Sequence, residues 1–129
     1  MTYRVQSIAA VIGGVLTFIF GELTPAFAVL IALMVIDFCT GLLHAVIEQK
    51  LNSKTCARGI MKKIFILALV AVAHLIDVSL GKAVCMGVVE FFYIANESMS
   101  IVENAGRAGL PVPEKLTEVL EQLNGKEGK

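Results

Sequence analysis

Charge is scarce in this sequence and has no dominant sign. Of its 129 residues 17% are charged, with 11 basic against 11 acidic side chains and a formal net charge of +0. Such a balance supplies no global field to draw the chain to nucleic acid or to an acidic substrate, so what matters is where the charges sit. Cysteine is sparse as well. Cys39, Cys56 and Cys85 are odd in number and lack CxxC or Cys/His ligand spacing, which speaks against a disulfide framework or a zinc site and for buried or idle thiols. Also missing are a Ser/His/Asp set, a Gly-rich phosphate loop and a paired-Cys motif, and Gly13-Gly14 alone is no nucleotide site. Catalytic, cofactor-binding and metal residues are therefore expected to be none. No strand pattern, internal repeat or low-complexity tract is present. The opening apolar stretch is not followed cleanly by an A-x-A-like cleavage site, so it reads as a retained segment, not a signal peptide.

What the chain does have is apolar length. Hydrophobic residues make up 57% of it, and the mean hydropathy is +0.79. A spanning helix needs about 20 mostly apolar residues. Four stretches approach that length: Val5 to Gly21, Pro25 to Ile47, Ile64 to Gly81, and Ala83 to about Ser100. The fourth is interrupted by Glu90 and Glu97, and reads as a short span, a re-entrant piece or an interfacial helix. The competing reading is a soluble bundle of buried helices, but three apolar segments with such asymmetric flanking charge favour a membrane. The expected fold is all-α: an integral membrane helical bundle of three or four apolar helices with a short C-terminal amphipathic helix, the first two helices forming a tight hairpin. Residues 1–110 form the transmembrane domain, and residues 111–129 a short cytoplasmic amphipathic helix and charged tail. Lys50, Lys54, Arg58, Lys62 and Lys63 fall between the second and third segments. By the positive-inside rule they form a cytoplasmic basic loop, which places the N-terminus in the cytoplasm too.

Polar residues within the apolar segments fall in stripes. On the first helix Ala9, Gly13, Thr17 and Gly21 recur every four residues, a small-xxx-small ridge suited to close helix packing in lipid. On the second, Asp37, Thr40, Gly41, His44 and Glu48 share one face, and on the third His74 and Asp77 lie one turn apart. Carboxylates facing lipid are expensive, so these groups face one another or water. They form either a proton or ion pathway or a set of hydrogen bonds holding a bundle together, and the small-residue packing favours the second. The fourth segment carries Glu90, Tyr93, Glu97, Ser100 and Asn104 on one side, with Asn96 alongside. That stripe either lines water or a subunit interface, or is the solvated face of a surface helix. After Pro111-Val112-Pro113 a final helix presents Leu116, Val119, Leu120 and Leu123 on one face, and a Gly-Lys-Glu-Gly-Lys tail follows.

Several of these pieces resemble a known family, the small phage-lysis and toxin-secretion holins of Gram-positive bacteria and their phages. Asp37 with Thr40-Gly41 and Ala45 matches, as do Leu51-Asn52-Ser53-Lys54, the run from Gly59 to Ile64, and Asp77. The most specific stretch runs from Phe92 to Asn104 and leads into Gly109-Leu110-Pro111-Val112-Pro113. The resemblance covers about Val35 to Leu123 and touches the first helix in character alone. It implies a multi-pass protein of the bacterial cytoplasmic membrane that forms homo-oligomers in the lipid bilayer and permeabilises it. Endolysin or a large toxin then escapes, without necessarily touching it. A small proton or ion transporter or accessory membrane subunit using Asp37 and Asp77, and a holin antagonist, remain as alternatives.

Overall fold

The structure, a computed structural model, describes residues 1–125, which form five helices: α1 (Thr2–Phe20), α2 (Pro25–Ile47), α3 (Ser53–Leu80), α4 (Cys85–Arg107) and α5 (Glu114–Leu123). No strand occurs among the described residues, and the all-α bundle is what the segment pattern leads one to expect. Three helices, α1, α2 and α3, are long and apolar enough to cross a membrane. The tail expected over 125–129 lies, from residue 126 onward, outside the described residues.

Helix ends follow from local chemistry. Thr24 Oγ1 accepts a hydrogen bond from the Phe27 amide at 3.2 Å, and Pro25 occupies the first helical position, where no N–H is missed. Asn52 Oδ1 accepts from the Thr55 amide at 2.7 Å and so starts α3 at Ser53, well before the apolar run. This corrects the expected basic loop. Lys50 does lie in the link between α2 and α3, but Lys54, Arg58, Lys62 and Lys63 lie on the first turns of α3 itself. Gly81, in the left-handed region at φ 64°, ends α3. The next helix has no capping side chain of its own, and Asp77 supplies one from α3: its Oδ1 and Oδ2 accept from the Cys85 and Met86 amides at 2.8 and 2.9 Å. A carboxylate at two unpaired amides of a helix N-terminus is well matched to the charge there.

The tight hairpin expected of the first two helices does not form. Although four residues join them, α1 lies against α3, and meets α2 at its end, where the Phe20 and Phe27 rings stack with centroids 5.5 Å apart. Gly21 explains the turn away. Its φ is 72°, and a Cβ placed there would come within 2.6 Å of His74 Cε1. Only a glycine lets the chain pass beneath that imidazole.

The centre of the bundle is α4, which packs against α2, α3 and α5. Phe27, Leu30, Met34, Ile66 and Val70 form the buried cluster, with Met86, Val89, Tyr93 and Ile94 of α4 packed onto it. On α5 Leu120 is buried, whereas Leu116, Val119 and Leu123 stay partly exposed. Two substitutions test this account of the links. Asn52→Ala is expected to cost about 1 kcal/mol of stability through loss of the α3 cap. Gly21→Ala is expected to cost more, because a residue with a Cβ held at this φ and ψ pays about 1–3 kcal/mol before any clash with His74. Unfolding of the detergent-solubilised protein checks both, and equal midpoints for Gly21→Ala and the parent would remove the role given to Gly21.

Candidate functional site

Buried positions repeat at alternating three- and four-residue steps on three helices. They are Phe27, Leu30 and Met34 on α2, followed by half-buried Asp37, then Ile66, Val70, Ala73 and Asp77 on α3, with half-buried Lys63 one turn ahead of Ile66. On α4 they are Glu90, Glu97 and Asn104, with Tyr93 half-buried between. Such stripes are the seams along which helices pack. Here each seam carries polar groups at one common height.

At that height Lys63 Nζ donates to Asp37 Oδ2 at 2.8 Å and to Glu97 Oε2 at 2.6 Å. Side-chain exposures are 17% for Lys63, 15% for Asp37 and 5% for Glu97, so water screens the trio little. A cation held by two carboxylates in such surroundings forms strong, charge-assisted hydrogen bonds, while loss of any one member strands the others. Two turns further along α4, Asn104 Nδ2 donates to Thr40 Oγ1 at 2.9 Å and to Asp37 Oδ1 at 3.2 Å. Thr40 in turn donates to the Ile36 carbonyl of its own helix at 2.9 Å. Three helices are thereby joined through one polar knot.

Other polar residues of the stripes go elsewhere. His44 turns to Glu48, 3.4 Å away, and Lys50 bridges Glu48 at 3.2 Å, holding that exposed carboxyl below the usual carboxylate range. His74 lies beneath Gly21, and Asp77 caps α4. Hydrogen bonds among the described residues therefore do not link either imidazole to the trio. The α4 stripe, expected to line water or a subunit interface or to be a solvated face, faces α2 and α3 of its own chain; its reverse side, with Val88, Phe91 and Phe92, is exposed and apolar. Glu90 is buried too, yet its Oε1 has no partner among the described residues. Ala9, Gly13 and Thr17 of α1 are exposed, and nothing lies within 4 Å of a Cβ added at Gly13. Of the small-residue ridge, Gly21 meets His74, and Ala9, Gly13 and Thr17 have no mate among the described residues.

A groove of about 570 Å³ opens beside the trio between α2, α3 and α4, with Asp37, Lys63, Asn96, Glu97, Ser100 and Asn104 among the residues lining it. Among the described residues no group of three His, Cys, Asp or Glu side chains is disposed to hold a metal ion. Sequence reasoning assigned Lys63 to a loop and missed its partnership. The signal was present: counting back from Asp77 by threes and fours through Ala73, Val70 and Ile66 arrives at Lys63.

Two tests separate the trio from the orphan carboxyl. Lys63→Met leaves two carboxylates facing each other and is expected to cost at least about 2 kcal/mol, whereas Asp37→Asn combined with Lys63→Met recovers part of that loss. Additive effects in this double-mutant cycle would mean that the bridge does not form. Glu90→Leu, which removes a buried carboxyl lacking a partner at one oxygen, is expected to raise the unfolding midpoint, and a fall would reveal a partner for it.

The sequence has relatives over most of its length. An uncharacterised protein of Halalkalibacterium halodurans is 42% identical over 127 residues, 94% of each chain. An uncharacterised protein of Listeria innocua is 43% identical over 117 residues, covering 90% of this chain and 84% of the relative. An uncharacterised 14.9 kDa protein from the nagH 3′ region of Clostridium perfringens is 37% identical over 117 residues, 89% of each chain. No solved structure matches. The sequence model of the bacteriophage holin family aligns with residues 14–125, a stretch that takes in Asp37, Lys63, Asp77, Glu97 and Asn104 together with the three helices that carry them. With its apolar helices and inward-facing polar seams, this membrane protein belongs to the bacteriophage holin family.

Proposed function

We propose that the chain acts as a holin: it inserts in the bacterial cytoplasmic membrane, assembles into homo-oligomers and permeabilises the membrane, releasing endolysin or a large toxin. The observation that carries this reading is the inside-out distribution of polarity. Ion pairs and amides are held within one chain, between α2, α3 and α4, and the outer surface is left apolar. A chain built this way resides in a bilayer without breaching it, because its costly groups, Glu90 Oε1 apart, satisfy each other. Assembly of many copies supplies new partners and allows some of those groups to turn toward water. Ala9, Gly13 and Thr17, which have no mate among the described residues, are the surface proposed for contact between copies.

Orientation follows from charge. Lys50, Lys54, Arg58 and Lys62, all exposed at the end of the bundle where α2 gives way to α3, are proposed to face the cytoplasm, and Arg4 to lie on the same side. Residues 1–110 then form the membrane domain, and residues 111–129 a cytoplasmic extension whose α5 leans on α4. Non-enzymatic action fits this arrangement, since permeabilisation requires lipid and other copies of the chain but no bond to be made or broken.

Induced expression in a bacterium, with and without a co-expressed cytoplasmic endolysin, tests the function. Membrane potential, culture density and release of a folded cytoplasmic protein are followed together. Abrupt depolarisation followed by endolysin-dependent lysis is the expected outcome. A barrier that stays intact while the protein is present in the membrane would overturn the proposal. Flux lost on Asp77→Asn would then favour a transporter, and delayed lysis by a second holin an antagonist.

A further inference from the structure

The groove beside the ion trio has two unlike ends. Along its α3 wall the side chains run from Thr55 through Gly59 and Lys62 to Ile66 and Leu69, a change from polar to apolar over about 20 Å of helix. Tyr93 of α4 lines the groove toward Ile66 and Leu69, whereas Phe38 of α2 lies against Gly59 and, with Leu42, walls the other end; Asn96, next to Glu97 on α4, adds an amide. The two acids in the groove already have donors: Lys63 serves both, and Asn104 serves Asp37. Lys50 is engaged by Glu48, but Lys62 makes no salt bridge among the described residues. Neither Thr55 nor Asn96 has its side chain in a hydrogen bond there. What the groove leaves unspent at its polar end is therefore a cation and hydrogen-bond donors, which call for an anion; what it offers at the other end is aliphatic and aromatic surface.

We propose that this groove holds one anionic phospholipid, its phosphate against Lys62, the rest of its headgroup toward the donors of Asn96 and Thr55, and one acyl chain along Ile66, Leu69 and Tyr93. A membrane protein meets such a molecule at all times, and charge complementarity selects it over a zwitterionic lipid, whose own ammonium would compete with Lys62. The bound lipid would fill the space between α2 and α3 where those helices part and shield the trio from water. The inference rests on residence in a membrane and does not depend on the permeabilising activity.

Native mass spectrometry of the full chain in detergent, titrated with phosphatidylglycerol or with phosphatidylcholine of the same acyl chains, tests the site. One phosphatidylglycerol is expected to survive collisional activation in preference to phosphatidylcholine. Lys62→Gln should reduce its retention about fivefold, the contribution of a single basic residue near an anionic headgroup. Ala45→Phe, which fills the groove wall, should abolish it. Equal retention of the two lipids, or phosphatidylglycerol retained undiminished by both variants, would overturn the proposal and leave unspecific annular lipid. Should Ala45→Phe fail to fold, the parent chain supplies a second measurement, because Cys56 lines the groove and Cys39 does not. Added phosphatidylglycerol is expected to slow alkylation of Cys56 by a neutral maleimide relative to Cys39, and an unchanged ratio would sink the idea.

Discussion

One ammonium between two carboxylates holds this bundle in register. Lys63 on α3 reaches Asp37 on α2 and Glu97 on α4, and Asn104 ties α4 back to Asp37 and Thr40 one turn below. In lipid the apolar contacts between helices give little preference for one register over another, since a leucine is as comfortable against an acyl chain as against a second helix. An ion pair discriminates sharply. Sliding α3 by one turn would leave Asp37 and Glu97 without a counter-charge inside an apolar seam, at a cost of several kcal/mol. Once these three residues meet, Phe27, Leu30, Met34, Ile66 and Val70 are brought to a common layer against α4. The trio adds little net stability compared with an apolar replacement; what it specifies is which layer meets which.

That arrangement also explains why α4 is central although it is the least apolar of the four long helices. Its seam carries Glu90, Glu97 and Asn104, all buried, and its opposite side exposes Val88, Phe91 and Phe92. A helix of this composition has one low-energy placement in a membrane protein, with its polar seam among other helices and its apolar side outward. Asp77 makes the placement definite at the other end of the helix, by accepting the first amides of α4 from a position on α3. The hairpin between α3 and α4 is thus locked at its turn by a cap and at its middle by a salt bridge.

Much of this was legible in the sequence. The helices, the apolar segments and the stripes on α2 and α4 all follow from spacing and composition. Spacing shows which residues share a face of one helix but is silent on which helix that face meets. For this reason the pairing of α1 with α3 in place of α2 was not readable; it turns on Gly21 and the ring of His74, two residues far apart in the chain. Lys63 was misjudged because it adjoins Lys62 and shares its sign, so that the pair reads as one solvated cluster. Helical geometry points adjacent residues roughly 100° apart, which sends Lys62 outward and Lys63 into the seam. Asp77 looked like part of a polar stripe, whereas its partners are backbone amides, and those leave no trace in the identity of residues 85 and 86.

Charge arithmetic within the bundle bears on how a resident chain would become an open assembly. Two carboxylates and one ammonium meet in the trio, so the single chain keeps one negative charge in excess unless one acid carries a proton, and Glu90 lacks a partner for Oε1 one heptad away along the same seam. These groups are tolerable while α2, α3 and α4 stay closed around them, and water would relieve them most. Any rearrangement that parts α4 from α2 breaks the bonds of Asn104 and pulls Glu97 away from Asp37, between which Lys63 is held, because Asp37 is shared by both sets of bonds. Opening is then cooperative in a single chain and costly while lipid is all that waits outside. With other copies alongside, the same parting hydrates every exposed seam of the ring at once, and the cost per chain falls as the enclosed volume becomes large enough to hold water. On the proposed function, this difference between one chain and many supplies a concentration threshold: the polar knot keeps the membrane sealed at low copy number and lines the water-filled space once the assembly is complete.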